Sequence, residues 1–379
     1  MKTVDSSPSE TASGTIDRFF KSIGWKPFRF QRSTWRAYRD GSSGLVHSAT
    51  GTGKTLAVWM GPILKWLDEN RNRDKWNPKR PPGLRVLWIT PLRALAGDTE
   101  ASLRQPLDHL NLPWRLESRT GDSKASAKAR QLKRLPTALI TTPESLSLML
   151  THEKLLEQFS KLEGVIVDEW HELLGTKRGI QTELALARLR KLNPQLRIWG
   201  LSATLGNLEQ AKQSLIGADL INAESSHPVR IIEGYRKKRL RLESIIPERM
   251  DSFPWSGHIG TKMVPQVVDR IESVNSTLVF ANTRSQTEIW YQQLLKQRPD
   301  WAGRIALHHG SLDTSVRQWV EQGLRNGSLR AVVCTSSLDL GVDYTAVVHS
   351  QIKAAGAHDS PQASISQTLF NPLADACVE

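Results

Sequence analysis

Short apolar runs alternate along the chain with longer stretches in which apolar residues recur at helical spacing. The runs cover residues 44–47, 84–90, 137–141, 165–167 and 197–201, and the pattern resumes at 277–281, 304–308 and 330–334. Each run is rich in Val, Ile, Leu or Trp, and polar or Gly/Pro residues follow it. Runs of this kind predict parallel strands buried on both faces, with helices crossing over between them. Two α/β units are expected, with a boundary at residues 229–262. That boundary holds Arg236, Lys237, Lys238, Arg239 and Arg241, then Pro247, Pro254 and Gly257. The charge run reads either as a solvated linker or as a nucleic-acid contact. The organisation expected is a disordered segment 1–14, a first unit 15–228, a basic linker 229–262, a second and incomplete unit 263–344, and a divergent tail 345–379.

Composition narrows the partners. The 379 residues carry a formal charge of +13, and an excess of this sign favours polyanions. It is unevenly spread: residues 345–379 hold one Lys, no Arg and three acids, so a body of +15 meets a tail of −2. Cys334 and Cys377 are too few for a disulfide framework or a four-cysteine zinc site. The first fifteen residues lack an apolar signal core. The most apolar stretch, residues 56–67, is cut by Lys65 and is too short to span a bilayer. A cytoplasmic protein with no membrane partner is expected.

Three strings carry chemistry. Residues 49–55 read ATGTGKT after a predicted strand and open a predicted helix. Gly51 and Gly53 let the backbone curl so that its N–H groups face a phosphate chain. Lys54 supplies positive charge to the β/γ-phosphates, the Thr55 hydroxyl suits Mg²⁺, and the helix adds its N-terminal dipole. The strict pattern has Gly at position 48, where this chain has Ser48. Residues 165–171 read VIVDEWH, an apolar strand that delivers two adjacent carboxylates at its carboxyl end, where α/β sheets bind ligands. Asp168 suits the metal, and Glu169 suits orienting and deprotonating an attacking water. Residues 201–205 read LSATL, and Ser202 and Thr204 are placed to hydrogen-bond His171 or Asp168. The thirteen Trp residues read as core packing or as stacking platforms for bases.

In this order the strings resemble motifs I, II and III of the superfamily 2 helicases. Residues 91–96 (PLRALA), 119–122 (RTGD) and 142–144 (TPE) look like the strand-gripping motifs of that family. Residues 278–284 (LVFANTR), 309–311 (HGS) and 335–343 (TSSLDLGVD) look like its later motifs, and 28–31 (FRFQ) looks like its adenine-reading glutamine motif. The string DEWHELLGTKRG, residues 168–179, is similar to the Lhr-like group, and within it to the ligase-associated DEXH-box helicases of DNA repair. The resemblance covers residues 17–345. It implies two RecA-like parallel-sheet domains in tandem, ATP and Mg²⁺ as cofactors, and 3′-to-5′ movement on single-stranded DNA, with RNA as an alternative. It implies nucleotide contacts at Gln31, Thr50, Gly51, Thr52, Gly53, Lys54, Thr55, Asp168, Gly341 and Asp343. It assigns the nucleic-acid strand to Arg93, Gly121, Thr142, Thr283 and Thr335, and coupling between sites to His171, Ser202 and Thr204. Repair nucleases or ligases are its implied protein partners.

The resemblance also has an edge. The family's Gly-Arg-x-x-Arg element, whose arginines reach the γ-phosphate, does not follow Asp343. The expectation is a chain truncated or frame-shifted after Tyr344, one that binds ATP but is impaired in hydrolysis.

Overall fold

The computed structural model describes residues 11–48, 52–91, 95–203, 205–217, 228–234, 240–243, 245, 263–335, 338, 350–353 and 366–369. The chain divides into two units between Arg236 and Lys237.

The first unit is built on seven parallel strands: β1 (Ser43–Ser48), β2 (Val86–Ile89), β3 (Leu116–Arg119), β4 (Ala138–Thr141), β5 (Gly164–Val167), β6 (Arg197–Ser202) and β7 (Val229–Gly234). Their order is β3-β4-β2-β5-β6-β1-β7. Successive side chains on a strand point to opposite faces, so each apolar run feeds two cores. Val46, Val86, Trp88, Ile140, Ile166 and Trp199 enter one, while Leu45, Leu87, Ile89, Leu139, Val165 and Val167 enter the other. The first core is closed by α1 (Ala12–Ser22), α2 (Arg29–Arg39), α3 (Lys54–Glu69) and α4 (Leu95–His109). After α5 (Ala125–Lys133), the second is closed by α6 (Pro143–Leu150), α7 (Glu153–Phe159), α8 (Trp170–Leu173), α9 (Lys177–Leu192) and α10 (Leu208–Ile216). The apolar stretch 56–67 is therefore a core helix. Lys65 sits on its rim and pairs with Glu69 and Glu163. No described helix is long and apolar enough to cross a membrane.

The second unit has β8 (Leu240–Glu243), α11 (Val264–Glu272), β9 (Thr277–Phe280), α12 (Arg284–Gln297), β10 (Ile305–His308), α13 (Thr314–Arg325), β11 (Ala331–Cys334), β12 (Ser350–Lys353) and β13 (Ser366–Leu369). The strand order is β10-β11-β9-β12-β13-β8. The first four strands run parallel, and β13 is antiparallel to both its neighbours.

Three boundaries differ from expectation. Residues 12–14 begin α1 rather than a disordered segment, because Thr11 caps the helix by accepting from the Gly14 N–H at 3.2 Å. Residues 229–234 pair with β1 as an edge strand instead of forming linker, and Arg241 of the basic run lies in β8. Arg236, Lys237, Lys238 and Arg239 lie outside the described residues. Residues 350–353 and 366–369 add two strands to the second sheet, although they fall in the tail. Their Ser/Gln-rich sequences show no apolar alternation; the pairing uses backbone groups.

The tryptophans divide clearly. Nine of the thirteen are buried, Trp76 is half-buried, Trp25 and Trp319 are exposed, and Trp255 lies outside the described residues. Core packing therefore accounts for most of them. Trp59, Trp88, Trp114, Trp66 and Trp76 form a run of edge-on and tilted pairs through the first core.

Candidate nucleotide and nucleic-acid site

The carboxyl end of the first sheet gathers the phosphate-loop and acidic-pair residues. β1 ends at Ser48, and α3 opens at Lys54. Thr50 and Gly51 lie outside the described residues. Gly53 has φ +80°, a left-handed conformation that favours glycine, and a Cβ there would come within 2.7 Å of Gln31 Nε2. Gln31 is buried. Its Nε2 donates to the Gly53 carbonyl at 3.0 Å, and its Oε1 accepts from the Phe28 N–H at 2.8 Å. It thus ties the start of α2 to the loop, and these two bonds use one N–H and one lone pair of its amide.

Lys54 is buried, and its Nζ donates to the Ser48 carbonyl at 2.9 Å. Ser48, in place of glycine, uses its hydroxyl. It donates to the Gly234 carbonyl of β7 and lies 2.7 Å from Thr52 Oγ1, from which it accepts. A Cβ at Gly234 would come within 2.7 Å of Ser48 Oγ and 2.8 Å of the Phe30 ring. Gly234 is a site residue that motif reading misses, because it lies 186 positions from its partner.

Two strands away, β5 delivers the acidic pair. The Asp168 N–H donates to the Ile89 carbonyl at 2.8 Å, which anchors the residue to β2. Asp168 Oδ1 accepts from the Glu169 N–H at 3.0 Å, and Oδ2 accepts from Trp88 Nε1 at 3.2 Å. Burial, then the charge of Glu169, pushes the Asp168 carboxyl up to about 7. Burial also raises Glu169, against the pull of Lys54. Glu169 has φ +42°, a left-handed conformation that costs a non-glycine residue on the order of 1–3 kcal/mol and marks functional sites. Its Oε2 is buried, accepts no hydrogen bond among the described residues, and lies 3.4 Å from His171 Nδ1.

Ser202 does not behave as expected. Its Oγ is buried with no hydrogen-bond partner among the described residues, so the bond to His171 or Asp168 is not made. Ser202 is still a residue of β6, in register with His47 of β1, and its side chain is buried there. Thr204 lies outside the described residues.

The residues fit a hard divalent cation. The donors are all oxygen, a hydroxyl at Thr55 and a carboxylate at Asp168, and two adjacent half-buried carboxyls attract positive charge. Among the described residues no group of three or more His, Cys, Asp or Glu could hold a metal alone. Mg²⁺ is typically bound through one or two carboxylates together with substrate phosphates, and Asp168 with the Thr55 hydroxyl is a donor set of that kind.

The described residues assigned to a nucleic-acid strand follow the carboxyl ends of strands, two in the first sheet and two in the second. Gly121 follows β3, is exposed, and accepts from Lys128 Nζ at 2.7 Å. Thr142 follows β4 at the start of α6, and its Oγ1 donates to Ser145 Oγ at 3.3 Å. In the second unit Thr283 follows β9, is exposed, and caps α12 by accepting from the Gln286 N–H at 3.3 Å. Thr335 follows β11, and its N–H donates to the His308 carbonyl at 3.2 Å. Arg93, Gly341 and Asp343 lie outside the described residues.

His308, at the end of β10, gives a prediction. Burial, then the nearby charges of Arg317 and His309, lowers its imidazole to about 4. An unfolded histidine titrates near 6.5, so the unfolded chain takes the proton first as pH falls. Stability from this group is full above about pH 6.5 and is lost between there and about pH 4. Glu321 Oε1, 3.5 Å from His308 Nε2, and solvent screening offset part of this, so going from pH 7 to pH 5 should cost on the order of 1 kcal/mol and lower the melting temperature by a few degrees. Thermal melts of the parent and of His308→Gln check this. Equal pH slopes in the two would contradict it.

A phosphate-loop lysine and an acidic pair two strands apart at the carboxyl end of one parallel sheet define a RecA-like nucleoside-triphosphate-binding unit. Residues 28–211 match the DEAD/DEAH box helicase family, and residues 261–354 match the helicase conserved C-terminal domain. The ATP-dependent helicase Lhr-Core protein 2 of Thermococcus barophilus is 33% identical over 316 residues, 80% of this chain and 36% of that protein. The Lhr helicase/probable uracil glycosylase of Mycolicibacterium smegmatis is 32% identical over 390 residues, 92% of this chain and 25% of that protein. The structure of Mycobacterium smegmatis helicase Lhr bound to ssDNA and AMP-PNP superposes with a TM-score of 0.70 at 32% identity, over 91% of this chain and 44% of that one. The chain belongs to the superfamily 2 helicases, in the Lhr-like group. It spans about a third of the length of the Lhr-Core relatives it matches.

Proposed function

We propose that the chain is the motor portion of an ATP-dependent helicase that moves 3′ to 5′ along single-stranded DNA in cytoplasmic DNA repair. The observation that carries this reading is the shared sheet edge. Lys54, Asp168 and Glu169 follow β1 and β5, while Gly121 and Thr142 follow β3 and β4 of the same sheet. A nucleotide held at one end of that edge lies on the same rigid platform as a strand held at the other. In this reading Lys54 would hold the β/γ-phosphates, Asp168 and Thr55 would hold Mg²⁺, whose charge would offset that of the phosphates, and Glu169 would take a proton from the attacking water. ATP binding and release then alternate the grip on the strand. DNA over RNA, the polarity and a repair nuclease or ligase as partner rest on the motif resemblance. The Lhr structure bound to ssDNA and AMP-PNP supports the first.

The test is an ATPase assay without nucleic acid, with single-stranded DNA and with RNA. Slow turnover with little stimulation is expected, because the Gly-Arg-x-x-Arg element does not follow Asp343, and what stimulation there is should come from DNA rather than RNA. Stimulation by RNA alone would make the chain an RNA-directed member, and ATP binding without turnover would make it a nucleotide switch. The net charge of the body makes a further demand on binding. If about five phosphates are contacted, raising salt from about 50 to 200 mM should weaken single-strand affinity roughly a hundredfold. A flat salt response, read by fluorescence anisotropy, would remove the electrostatic basis of the site.

A further inference from the structure

We propose that Trp88 is a positioning residue for the cation held at Asp168, fixing that carboxylate through its indole N–H. The proposal rests on the reading of Asp168 as the metal carboxylate and adds a residue that the helicase motifs do not include.

The tryptophans themselves point to it. Trp35, Trp59, Trp76, Trp170 and Trp199 donate their indole N–H groups to backbone carbonyls of Leu56, Leu103, Asn70, Ala211 and Ser42, at 2.9–3.2 Å. A buried indole N–H usually finds an acceptor, and a nearby carbonyl is the usual one here, although Trp114 Nε1 has none among the described residues. Among the described residues Trp88 alone donates to a side chain, and that side chain is Asp168.

The donor is rigid. Trp88 is fully buried on β2, in register between Ile140 of β4 and Ile166 of β5. Its ring packs edge-on against Trp59, with centroids 6.3 Å apart, and Trp59 packs in turn against Trp114 at 5.8 Å. This packing favours the one orientation that aims the indole N–H at Asp168. With Oδ1 held by the Glu169 N–H and Oδ2 by Trp88, each carboxylate oxygen has one fixed donor. Each keeps a lone pair for the cation or its waters. Outer partners that orient a ligating group commonly set metal affinity by 10–100-fold. The bond also places a fluorophore one hydrogen bond from the cation.

The experiment titrates Mg²⁺ against a fluorescent ATP analogue on the full chain, for the parent, Trp88→Phe, Trp59→Phe and Asp168→Asn. Trp88→Phe should raise half-saturating Mg²⁺ by about 10–100-fold and leave binding in EDTA within about twofold. Trp59→Phe, which disturbs the same cluster without touching Asp168, should stay within about twofold for Mg²⁺. The Mg²⁺-dependent change in intrinsic fluorescence should shrink in Trp88→Phe and persist in Trp59→Phe. If Trp88→Phe folds poorly, site-specific 3-benzothienylalanine at position 88 keeps the ring and removes the N–H, and the same shift is expected. Equal shifts in Trp88→Phe and Trp59→Phe would reduce the role to packing and overturn the proposal. So would a large shift in Asp168→Asn with none in Trp88→Phe. An unchanged Mg²⁺ requirement in Asp168→Asn would instead overturn the metal-carboxylate reading, and the proposal with it.

Discussion

Glu169→Gln is expected to lower the rate of ATP hydrolysis by about 10²–10⁴-fold while nucleotide binding is retained. The amide fills the same space but takes no proton from water. The Glu169 carboxyl is suited to that task because burial raises it toward the working pH, where a general base is most effective. Its left-handed backbone lies past the end of β5, at the start of α8, and Oε2 is left without a hydrogen bond among the described residues. Binding should hold or improve, because the charge of Glu169 is one of the forces that raises the neighbouring Asp168. Removing it makes the metal carboxylate easier to ionise at neutral pH. Single-turnover hydrolysis of labelled ATP, with anisotropy of a fluorescent analogue in parallel, reads both quantities. Hydrolysis equal to the parent's would move the catalytic base to another residue. A matching loss of binding would make Glu169 a structural or metal-holding group.

The arrangement of this site was legible where local backbone and residue type coincide. Gly53 must be left-handed, Lys54 must follow it, and two acids must end an apolar strand, so short strings suffice. Contacts between distant segments left no such trace. The bond from Trp88 to Asp168 joins positions 80 apart, and nothing in an apolar strand reveals where an indole N–H points. Ser48 stood out as a departure from the strict loop. Its partner Gly234 was hidden because the requirement is steric, set by Ser48 and Phe30 from elsewhere in the chain. Ser202 misled for a related reason: a motif records order along the chain, while strand register with His47 decides where the hydroxyl lies. The strands of the first sheet were legible from apolar runs that feed two cores. β12 and β13 were not, because Ser and Gln side chains leave only backbone pairing to define them. The start of α1 turned on a single cap, Thr11.

Lys54→Ala is expected to weaken ATP affinity by about 10–100-fold, the range for hydrogen bonds to charged groups. The ammonium is buried and rests on the Ser48 carbonyl at 2.9 Å, so it is already aimed into the loop when phosphates arrive. Its removal acts twice. The β/γ-phosphates lose their positive partner, and Asp168 and Glu169 lose a charge that holds both carboxyls down against burial. A greater fraction of Asp168 is then protonated at neutral pH, so Mg²⁺ is also held less well. The loss should therefore be larger for Mg²⁺-ATP than for ATP measured in EDTA. The fold should survive, because α3 is anchored by Leu56, Val58, Trp59 and Ile63 deep in the first core. Calorimetric titration with and without Mg²⁺, beside a thermal melt, separates these effects. Unchanged ATP affinity would overturn the phosphate-loop assignment. A loss of equal size in EDTA and in Mg²⁺ would confine Lys54 to the phosphates and remove its electrostatic hold on the acidic pair.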